Sequence, residues 1–600
     1  MKILRRVTHP WLLAALLAGV GPATVSGQAC STGTISEITY DRRKPFGPEA
    51  TSEEAKLGWL FRGMNAIHVT TIPAAIRWEL LFREGDCLDP VLLEESARSL
   101  RSLPYIVEAT VTSERLADGT HRVDIRTIDA WALSLAISFT VDQGFQFTGL
   151  SINAKNLFGT GTQVALFRNV YRERKRIGVL GRQPNLFGTR IDASIHGGET
   201  RSGSYFSESL FRPYPGEVGV NAFRQVAEAR DDYFLYSVDP DLGFTQAYLR
   251  FEAERYELTY QRRFGDEDGA RFIGGLGISR ETVRFPFGTE GVAIVTDNDF
   301  ESPTQAPADV IAEVAPQARD HEINRLSFVF GLRNLNFLNM VGLDAVRATQ
   351  DVFDGGDLTL TLAPGVPLGD DEVNDLLVRA QGSLGVRAGE AYFRFGGDFQ
   401  ARNVFSDLGP GEEGWRDVMY ELVGNGYWDQ GPDRQLYSRV YYSAGYAMDR
   451  PFQLTVGGRE AVRGYNEDAY PAARRLLATV EQRFTPPWRT AFADVGFAAF
   501  ADAGRGWAGG VPFGEDSGWK AGVGVGVRLA LPAGAPNVLR VDLGLPLTGE
   551  RETKGIVFRI YSELFGILDR RGWPTQVQRS RWYGTDPDLT TRPNNPLAGN

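Results

Sequence analysis

The stretch Gly522–Leu531, GVGVGVRLAL, alternates apolar residues with glycine or polar residues almost without a break. In an extended chain its valine and leucine side chains share one face, and the glycines and Arg528 share the other, because successive side chains of a β-strand point to opposite faces. The same pattern recurs in Tyr392–Gln400, Leu539–Leu547 and Ile556–Leu564. Repeated segments of about ten residues with one apolar and one polar face are the sequence signature of a transmembrane β-barrel.

A soluble antiparallel sandwich also alternates, with one face in water. Three observations favour the membrane barrel: the segments are long, their polar face carries charges together with glycine, and they continue over more than 400 residues without helical interruption. Lipid offers the backbone no hydrogen bonds, so a spanning chain must pair in a closed sheet. The chain is therefore predicted to be mainly β, with an antiparallel transmembrane barrel over residues 131–565.

The connections between the expected strands differ in length, as in barrels with long loops on one side and tight turns on the other. Asp231–Gly243 and the proline- and acid-rich stretch Gly288–Asp320 are predicted to be long surface loops. The first strands are expected at Trp131–Val141, Phe145–Asn156, Thr162–Tyr171, Lys175–Arg182 and Thr189–His196.

The N-terminus has the three parts of an export signal. Basic residues come first, an apolar core follows over residues 11–20, and the small residues Gly27 and Ala29 precede a cleavage site before Cys30. Residues 1–29 are therefore predicted to be a signal peptide. A lipoprotein processed at Cys30 is the alternative, although the preceding residues make a poor lipobox. Downstream of the signal no uncharged apolar stretch has the roughly 18 residues that a membrane helix needs.

Composition excludes several classes of protein. The net charge of −11 does not suit a nucleic-acid binder, so no nucleic-acid partner is expected. The five histidines show no metal-ligand spacing, and no nucleophile elbow is present, so no metal, cofactor or enzymatic activity is expected. The glycine run within Gly522–Leu531 lacks the following helix of a nucleotide loop. An enzymatic barrel, such as an outer-membrane lipase or protease, is the disfavoured alternative.

Residues 30–130 differ from the rest of the chain. Helical periodicity runs through Pro90–Leu103 after a capping Asp89, a second helix is expected at Ala74–Phe82, and a hairpin follows over Ile106–Thr127. These elements predict a small α+β domain in front of the barrel.

The two cysteines of the chain, Cys30 and Cys87, both precede the expected barrel. A disulfide between them suits the oxidising periplasm, and an unpaired Cys30 is the alternative.

Three segments carry a family resemblance: Gly457–Tyr465 (GGREAVRGY), Leu476–Phe484 (LLATVEQRF) and Phe500–Gly504 (FADAG). Together they resemble the BamA/TamA family of outer-membrane assembly and translocation barrels. The resemblance implies that the loop motif Val462-Arg463-Gly464-Tyr465 folds back into the barrel lumen. It also implies that acids on the next two strands hold its arginine.

Carried over to this chain, Arg463 is the loop cation, Glu481 and Asp502 are the anchoring acids, and Phe500 and Gly504 complete the wall motif. Alternation along the two strands places both acids on the lumenal face independently of the resemblance. A partly desolvated guanidinium needs such carboxylate partners. The alternative is that the loop motif is an ordinary surface turn.

Roughly twenty β-like segments occur between residues 131 and 565. Some of the middle ones are expected to be extracellular hairpin extensions rather than spans, so the barrel is expected to have 16 strands. Five of these strands are expected after the loop, as in the family. The expected last strand ends at Phe565, and residues 566–600 are predicted to be a periplasmic tail. The N-terminal domain resembles one periplasmic POTRA module, where the essential assembly barrels carry several. A plain spacer domain is the alternative.

The function implied by the resemblance is insertion of polypeptides into the bacterial outer membrane, or their translocation across it, with the N-terminal domain in the periplasm. Its partners would be the lipid bilayer, unfolded outer-membrane or secreted clients, and a periplasmic chaperone or accessory protein. The first and last strands would pair weakly at a seam, and the Arg463 cluster would stiffen the wall opposite that seam. A passive channel or transporter and a surface-adhesion barrel that uses the 288–320 loop are the alternatives.

Overall fold

A computed structural model describes most of the chain. The predicted signal peptide, residues 1–29, lies outside the described residues, as do Arg459 and Glu460 of the loop motif. The described ranges are 30–140, 146–170, 176–238, 243–265, 269–286, 291–295, 303–366, 375–405, 414–458, 461–466, 468–490, 492–548, 556–563, 575–581 and 588–589.

The N-terminal domain is a three-stranded sheet covered by helices. Its sheet has the order β1-β3-β2, in which β1 runs parallel to β3, and β2 runs antiparallel to β3. Leu93 and Leu100 of the longest helix pack on Ile106, Val123 and Ile125 of the sheet, and this apolar cluster is the core of the domain. The elements are β1 (Ile35–Arg43), α1 (Pro48–Thr51), α2 (Gly58–Ile67), α3 (Pro73–Arg77), α4 (Pro90–Arg101), β2 (Ile106–Arg115) and β3 (His121–Asp129).

The helices of this domain differ in part from the prediction. The side chain of Asp89 caps α4 by accepting a hydrogen bond from the Val91 backbone N–H at 2.8 Å, as its position predicts. The second predicted helix is shorter than expected, because α3 ends at Arg77. The Leu81 N–H then bonds to the Ser96 hydroxyl at 2.9 Å, which turns the chain towards α4. Sequence periodicity did not reveal β1 or α2.

The barrel follows directly, and all its neighbouring strands with a described register pair antiparallel. The strands before the longest connection are β4 (Leu133–Thr140), β5 (Gln146–Leu157), β6 (Thr162–Asn169), β7 (Arg176–Gln183), β8 (Asp192–Glu199), β9 (Ser204–Arg212), β10 (Asn221–Ser237), β11 (Gln246–Phe264) and β12 (Arg271–Arg284). The connection itself contains β13 (Val292–Val295), β14 (Thr304–Gln305) and α5 (Ala308–Val314).

The second half of the chain completes the wall. Its strands are β15 (His321–Val341), β16 (Thr349–Val366), β17 (Asp375–Ala388), β18 (Ala391–Val404), β19 (Trp415–Asp429) and β20 (Arg434–Tyr446), then β23 (Arg474–Phe484), β24 (Asp494–Trp507), β25 (Gly518–Ala530), β26 (Val538–Pro546) and β27 (Val557–Glu563). The loop between β20 and β23 carries a two-stranded ribbon of β21 (Leu454–Thr455) and β22 (Pro471–Ala472). A short helix, α6 (Thr575–Gln578), follows the wall.

The sheet closes on itself, with β27 beside β4. Apart from the short β13 and β14, twenty strands of the described chain form this closed order, so the expected count of sixteen was wrong. The prediction set several of the middle β-like segments aside as hairpin extensions, but each pairs along both edges with its neighbours. The five strands expected after the loop are present as β23–β27. Among the described residues, no helix has both the length and the apolar character that crossing a membrane requires.

The side chains of the wall are distributed inside out relative to a water-soluble protein. On β23, Val480 is 49% exposed and its neighbour Glu481 is 1% exposed. The outer face presents further apolar side chains, including Leu166, Ile195, Leu276, Phe330, Leu358, Leu422, Val525 and Leu543. The buried inner face carries charged ones, including Arg224, Glu257, Arg325, Asp375, Asp398, Arg402, Asp417 and Glu421. An apolar outside with a charged inside is the arrangement of a transmembrane barrel and excludes the soluble sandwich.

The two stretches predicted as long surface loops agree with the structure only in part, since Gly288–Asp320 lies in the connection between β12 and β15 but residues 231–237 are part of a strand. The first, at Asp231, belongs to β10, and its carboxylate pairs with Arg250 of β11, whose Nε and Nη2 lie 3.1 and 2.7 Å from the two acid oxygens. The described part of the second loop folds inward, with Val310 and Val314 of α5 buried in an apolar cluster with residues of β10 and β11. Charge and proline content indicated exposure, but Asp231 is held in an ion pair on a strand and α5 is packed against the wall.

The N-terminal domain is docked against turns at one end of the barrel. The Ile72 N–H donates to the Gly159 carbonyl at 2.9 Å, and the Asn185 amide donates to Glu79 at 2.6 Å. Because connections of an antiparallel barrel alternate between its two ends, the loop between β20 and β23 lies at the opposite end. We refer to these as the domain end and the loop end.

The C-terminal tail, residues 566–600, was predicted to lie in the periplasm, and the structure describes residues 575–581 and 588–589 of it. Val577 is buried among side chains of the loop end, including Phe452 and Leu454. Leu589 is buried at the domain end beside Phe211 and Tyr214. These described residues therefore lie inside the barrel, where the buried acids Asp398 and Glu421 of the inner wall pair with Arg581.

Candidate lumenal site at the inserted loop

The loop between β20 and β23 folds inward over the C-terminal strands. Its base is the β21–β22 ribbon, and the Val456 N–H continues the pairing by donating to the Ala469 carbonyl at 3.0 Å. Val462 and Tyr465 are buried with Tyr441 and Leu477 of the wall in one apolar cluster. The loop motif is therefore packed against the inner wall rather than exposed as a surface turn.

Arg463 lies at the centre of the site. Its Nε and Nη2 donate to both oxygens of Asp502 at 2.8 and 2.9 Å, and its Nη1 donates to Glu481 at 3.1 Å. The structure thus brings together the three residues that the resemblance singled out. The planar guanidinium fork matches a carboxylate in this two-point geometry.

Aromatic packing adds to these ion pairs. The guanidinium carbon of Arg463 lies 3.5 Å from the centre of the Phe500 ring, within the range of a cation–π contact. Phe500 is itself buried on the inner face of β24. One residue of the wall motif therefore forms the floor beneath the loop cation.

Glycines make room for the loop on the wall. A β-carbon added at Gly464 would lie 2.8 Å from the backbone nitrogen of Pro546, and one added at Gly544 would lie 2.8 Å from the Arg463 carbonyl oxygen. A β-carbon at Gly504 would meet Val462 at 2.9 Å. Small residues on the inner face of β24 and β26 therefore let the loop backbone approach the strand backbone.

The sequence interpretation missed two members of the site. Arg463 Nη1 also donates to Asp542 of β26 at 3.1 Å. Arg528 of β25 bridges Asp542 and Glu481, with nitrogen–oxygen distances of 2.5 and 3.1 Å. Both residues have inward parity in the alternating segments, so alternation placed them on the lumenal face, but it does not reveal which inward side chains meet across strands.

The loop also reaches the last strand of the wall. The Arg559 side chain of β27 donates to the carbonyl oxygens of Arg463 and Tyr465, the latter at 2.5 Å. The Tyr465 hydroxyl donates to the Ala521 carbonyl at 3.0 Å. Since β27 lies beside β4, the cluster borders the seam. The cluster was expected to stiffen the wall opposite this seam. It lies beside the seam instead, because Arg559 joins the loop to β27.

Cys30 and Cys87 form a disulfide far from this cluster, with their Cα atoms 5.3 Å apart. The bond joins the start of the N-terminal domain to the segment before α4. A sulfur atom in a disulfide is not free to carry a lipid, so this pairing disfavours the lipoprotein alternative at Cys30.

The described residues contain no group of histidine, cysteine, aspartate or glutamate side chains arranged to hold a metal ion. The acids of the site instead face guanidinium groups. This arrangement supports a structural role: charge-assisted hydrogen bonds fix the loop to four strands.

Comparison with known proteins gives a family for the C-terminal part. Residues 435–562 match the Omp85 superfamily domain. No curated protein matches the chain by sequence. Among solved structures, BamA from Haemophilus ducreyi lacking POTRA domains 1-3 is 14% identical, covering 88% of this chain and 84% of its own, with a TM-score of 0.35. CdiB from Escherichia coli is 11% identical, covering 90% of this chain and 92% of its own, with a TM-score of 0.37. The domain match contains the whole Arg463 cluster.

Proposed function

We propose that the chain, whose residues 435–562 match the Omp85 superfamily domain, is a BamA/TamA-like outer-membrane barrel that inserts polypeptides into the outer membrane or translocates them across it. The observation that carries the proposal is the buried Arg463 cluster. One arginine and three acids hold the loop inside the barrel, and burying these charges carries a free-energy cost. Such an arrangement is expected where the protein needs the loop in one fixed position. Buried ion pairs are weak sources of stability but good at fixing one geometry.

The position of the loop matters most at the seam between β27 and β4. Arg559 ties the loop to β27, and β27 is the strand whose outer edge meets β4. Opening this contact would expose backbone donors and acceptors to an incoming strand, which in lipid must find hydrogen-bond partners. We propose that the clamped loop holds β27 in register while its pairing with β4 is exchanged for pairing with a client. The free energy comes from folding of the client into lipid, without a nucleotide.

The N-terminal domain would receive the client or an accessory protein on the periplasmic side. In its sheet order β1-β3-β2, the backbone of β1 is partly covered, since Ile35 exchanges hydrogen bonds with residues 85 and 86. The far end of β2, Thr112–Arg115, is mostly exposed and pairs only with β3. Addition of an extended peptide to such an edge is a known recognition mode. We propose this edge as the receiving strand.

Two alternative functions predict different observations. A passive channel needs a continuous water path, whereas the described tail occupies part of the lumen. A surface-adhesion barrel would present the connection between β12 and β15 to the outside, whereas its helix α5 packs inward. Both observations favour the insertion or translocation barrel.

The test is depletion of the protein followed by quantitative outer-membrane proteomics, with rescue by variants. Wild-type chain should restore the depleted proteins, and Arg463→Ala should not, although it reaches the membrane. Arg505→Ala is the matched control, because Arg505 pairs with Asp516 at an exposed position. Unchanged client levels on depletion, or full rescue by Arg463→Ala, would contradict the proposal.

A further inference from the structure

The tail makes specific contacts at the loop end of the lumen. The side-chain oxygen of Gln576 accepts hydrogen bonds from the Thr455 N–H at 3.0 Å and from Arg475 at 2.6 Å, and its amide donates to the Thr455 hydroxyl at 2.7 Å. Val577, with no exposed surface, packs against Met419, Phe452 and other apolar side chains. Arg475 is fully buried on the inner wall. These contacts form a pocket built for one polar and one apolar side chain in succession.

A second set of contacts lies deeper in the lumen. Arg581 places Nη1 3.0 Å from Asp398 and Nη2 2.9 Å from Glu421, two acids of β18 and β19 with no exposed side-chain surface. Asp398 also binds Arg379 at 3.0 Å. A buried carboxylate without a cation partner is strongly unfavourable, so the tail arginine completes the pairing of the inner wall.

A third contact fixes the tail at the domain end. Leu589 has no exposed surface, packs on Phe211 and Tyr214, and accepts a hydrogen bond from the Tyr214 N–H at 3.3 Å. The turn that follows Tyr214 touches the N-terminal domain, since the Glu217 N–H donates to Glu95 at 2.7 Å. The tail therefore extends from the loop end of the lumen to the end covered by the domain.

We propose that the inner wall is a binding site for an arginine-bearing peptide, and that residues 575–581 and 588–589 occupy it as parts of a plug that closes the barrel to ions. The wall supplies an apolar pocket for Val577, a polar clamp for Gln576 and the acid pair Asp398 and Glu421 for Arg581. The inference goes beyond the proposed function and does not depend on it, because closure to ions is measured without any client.

The experiment is single-channel recording of purified full-length protein in planar bilayers. The wild-type chain should show little steady conductance. A variant truncated after residue 566 should show conductance several-fold higher, and a synthetic peptide of residues 575–589 added to it should block that current. The same peptide with Arg581→Glu should not block. Heat-modifiable migration of each variant on gels verifies that the barrel is folded.

Arg581→Gln in the full-length chain is a second and milder variant, expected to show intermittent opening. Arg505→Gln, which leaves the lumen contacts of the tail untouched, should behave as wild type. Equal conductance of truncated and wild-type protein, or block by both peptides alike, would overturn the plug. Client delivery by the truncated protein is a separate readout, so failure of the plug leaves the proposed function standing.

Discussion

Arg101 of α4 grips Asp351 of β16 with two hydrogen bonds, from Nε at 2.9 Å and from Nη2 at 2.6 Å. The pair joins the N-terminal domain to the barrel wall, and its two members are 250 residues apart in the chain. Burial lowers the pKa of Arg101, but the carboxylates of Asp351 and Glu94 together more than offset this, so the pKa lies above its usual value. The domain is thus held by a charge-assisted contact, which makes its docking testable by substitution.

Asp351→Asn should loosen the domain without unfolding it, because the substitution keeps the shape and removes the charge. Hydrogen–deuterium exchange of α4 in detergent-solubilised protein should accelerate at constant pH, while exchange within the barrel strands stays unchanged. Arg115→Ala is the control, since this arginine is exposed on the same domain. Equal exchange of α4 in Asp351→Asn and wild type would show that the pair does not hold the domain.

Arg463→Ala should destabilise the barrel, because it leaves Glu481 and Asp502 facing each other with one guanidinium fewer. Removing one partner of a buried ion pair costs about 3–5 kcal/mol in soluble proteins. Arg463→Lys should fall between Ala and wild type, since an ammonium group cannot bind Asp502 at two points. The midpoint temperature of heat-modifiable migration on gels measures the effect. A lysine variant as weak as the alanine variant would show that charge alone contributes little here.

Gly464→Ala should displace the loop although it changes one methyl group. The added β-carbon would lie 2.8 Å from the Pro546 backbone nitrogen, a contact that forces the loop off the wall. Overpacking of this kind costs about 1–3 kcal/mol. Gly510→Ala is the matched control, because a β-carbon there meets nothing within 4 Å. The two variants should differ in the melting of the barrel, and equal melting would disprove the close approach.

Docking of the N-terminal domain should weaken as the pH rises past the pKa of Glu95. Burial raises this pKa above its usual 4.5, although Arg98, Arg263 and the Glu217 N–H counteract part of the effect and the Glu217 carboxylate adds to it. A carboxyl group with a raised pKa in the docked state binds its proton more tightly there. Docking is therefore favoured below the usual pKa, and this contribution is lost as the pH rises towards the raised one.

Distances between spin labels at Arg62→Cys and Arg489→Cys, one on the domain and one on the barrel, measure this docking across the pH range. The distance distribution should broaden as the pH rises through that window. Glu95→Gln should keep the narrow distribution at every pH, because an amide does not titrate. A pH response that persists unchanged in Glu95→Gln would assign it to another group.

The disulfide between Cys30 and Cys87 should stabilise the N-terminal domain, because it closes a chain segment with a sequence separation of 57. The chain-entropy model gives about 4 kcal/mol for a loop of this size. The double variant Cys30→Ser and Cys87→Ser, and reductant added to wild type, should make the domain equally sensitive to protease. Sensitivity in only one of the two would indicate an effect of substitution rather than of the bond.

Features that depend on a single stretch of sequence could be predicted, whereas contacts between different strands could not. Alternation along single strands predicted the barrel and the inward orientation of Glu481 and Asp502, because the side-chain period of a strand is two residues. The resemblance predicted Arg463 as their partner. Asp542 and Arg528 were not predicted as partners, since contacts between inward side chains of different strands depend on the register of the strand pairing.

The number of wall strands and the location of the described tail residues could not be predicted, for related reasons. Nothing in a single segment such as β12 says whether it pairs on both edges, so some wall strands were assigned to loops. The tail after β27 is rich in proline and charge, which indicates a solvated segment, but Arg581 finds its partners Asp398 and Glu421 inside the wall. Buried acids of the wall determine where the tail arginine binds. Their proximity is visible only in the folded structure.

The enclosed tail constrains the order in which the molecule is built. Residues 575–581 and 588–589 are synthesised after β27, yet they lie within a ring that β27 seals and beneath a domain that is synthesised before the barrel. The mouth at the domain end must stay uncovered until this peptide has entered. The N-terminal domain, which precedes the barrel in the chain, would therefore dock after this peptide has entered. The last intermediate of assembly would have a disulfide-bonded domain that is not yet docked on the barrel.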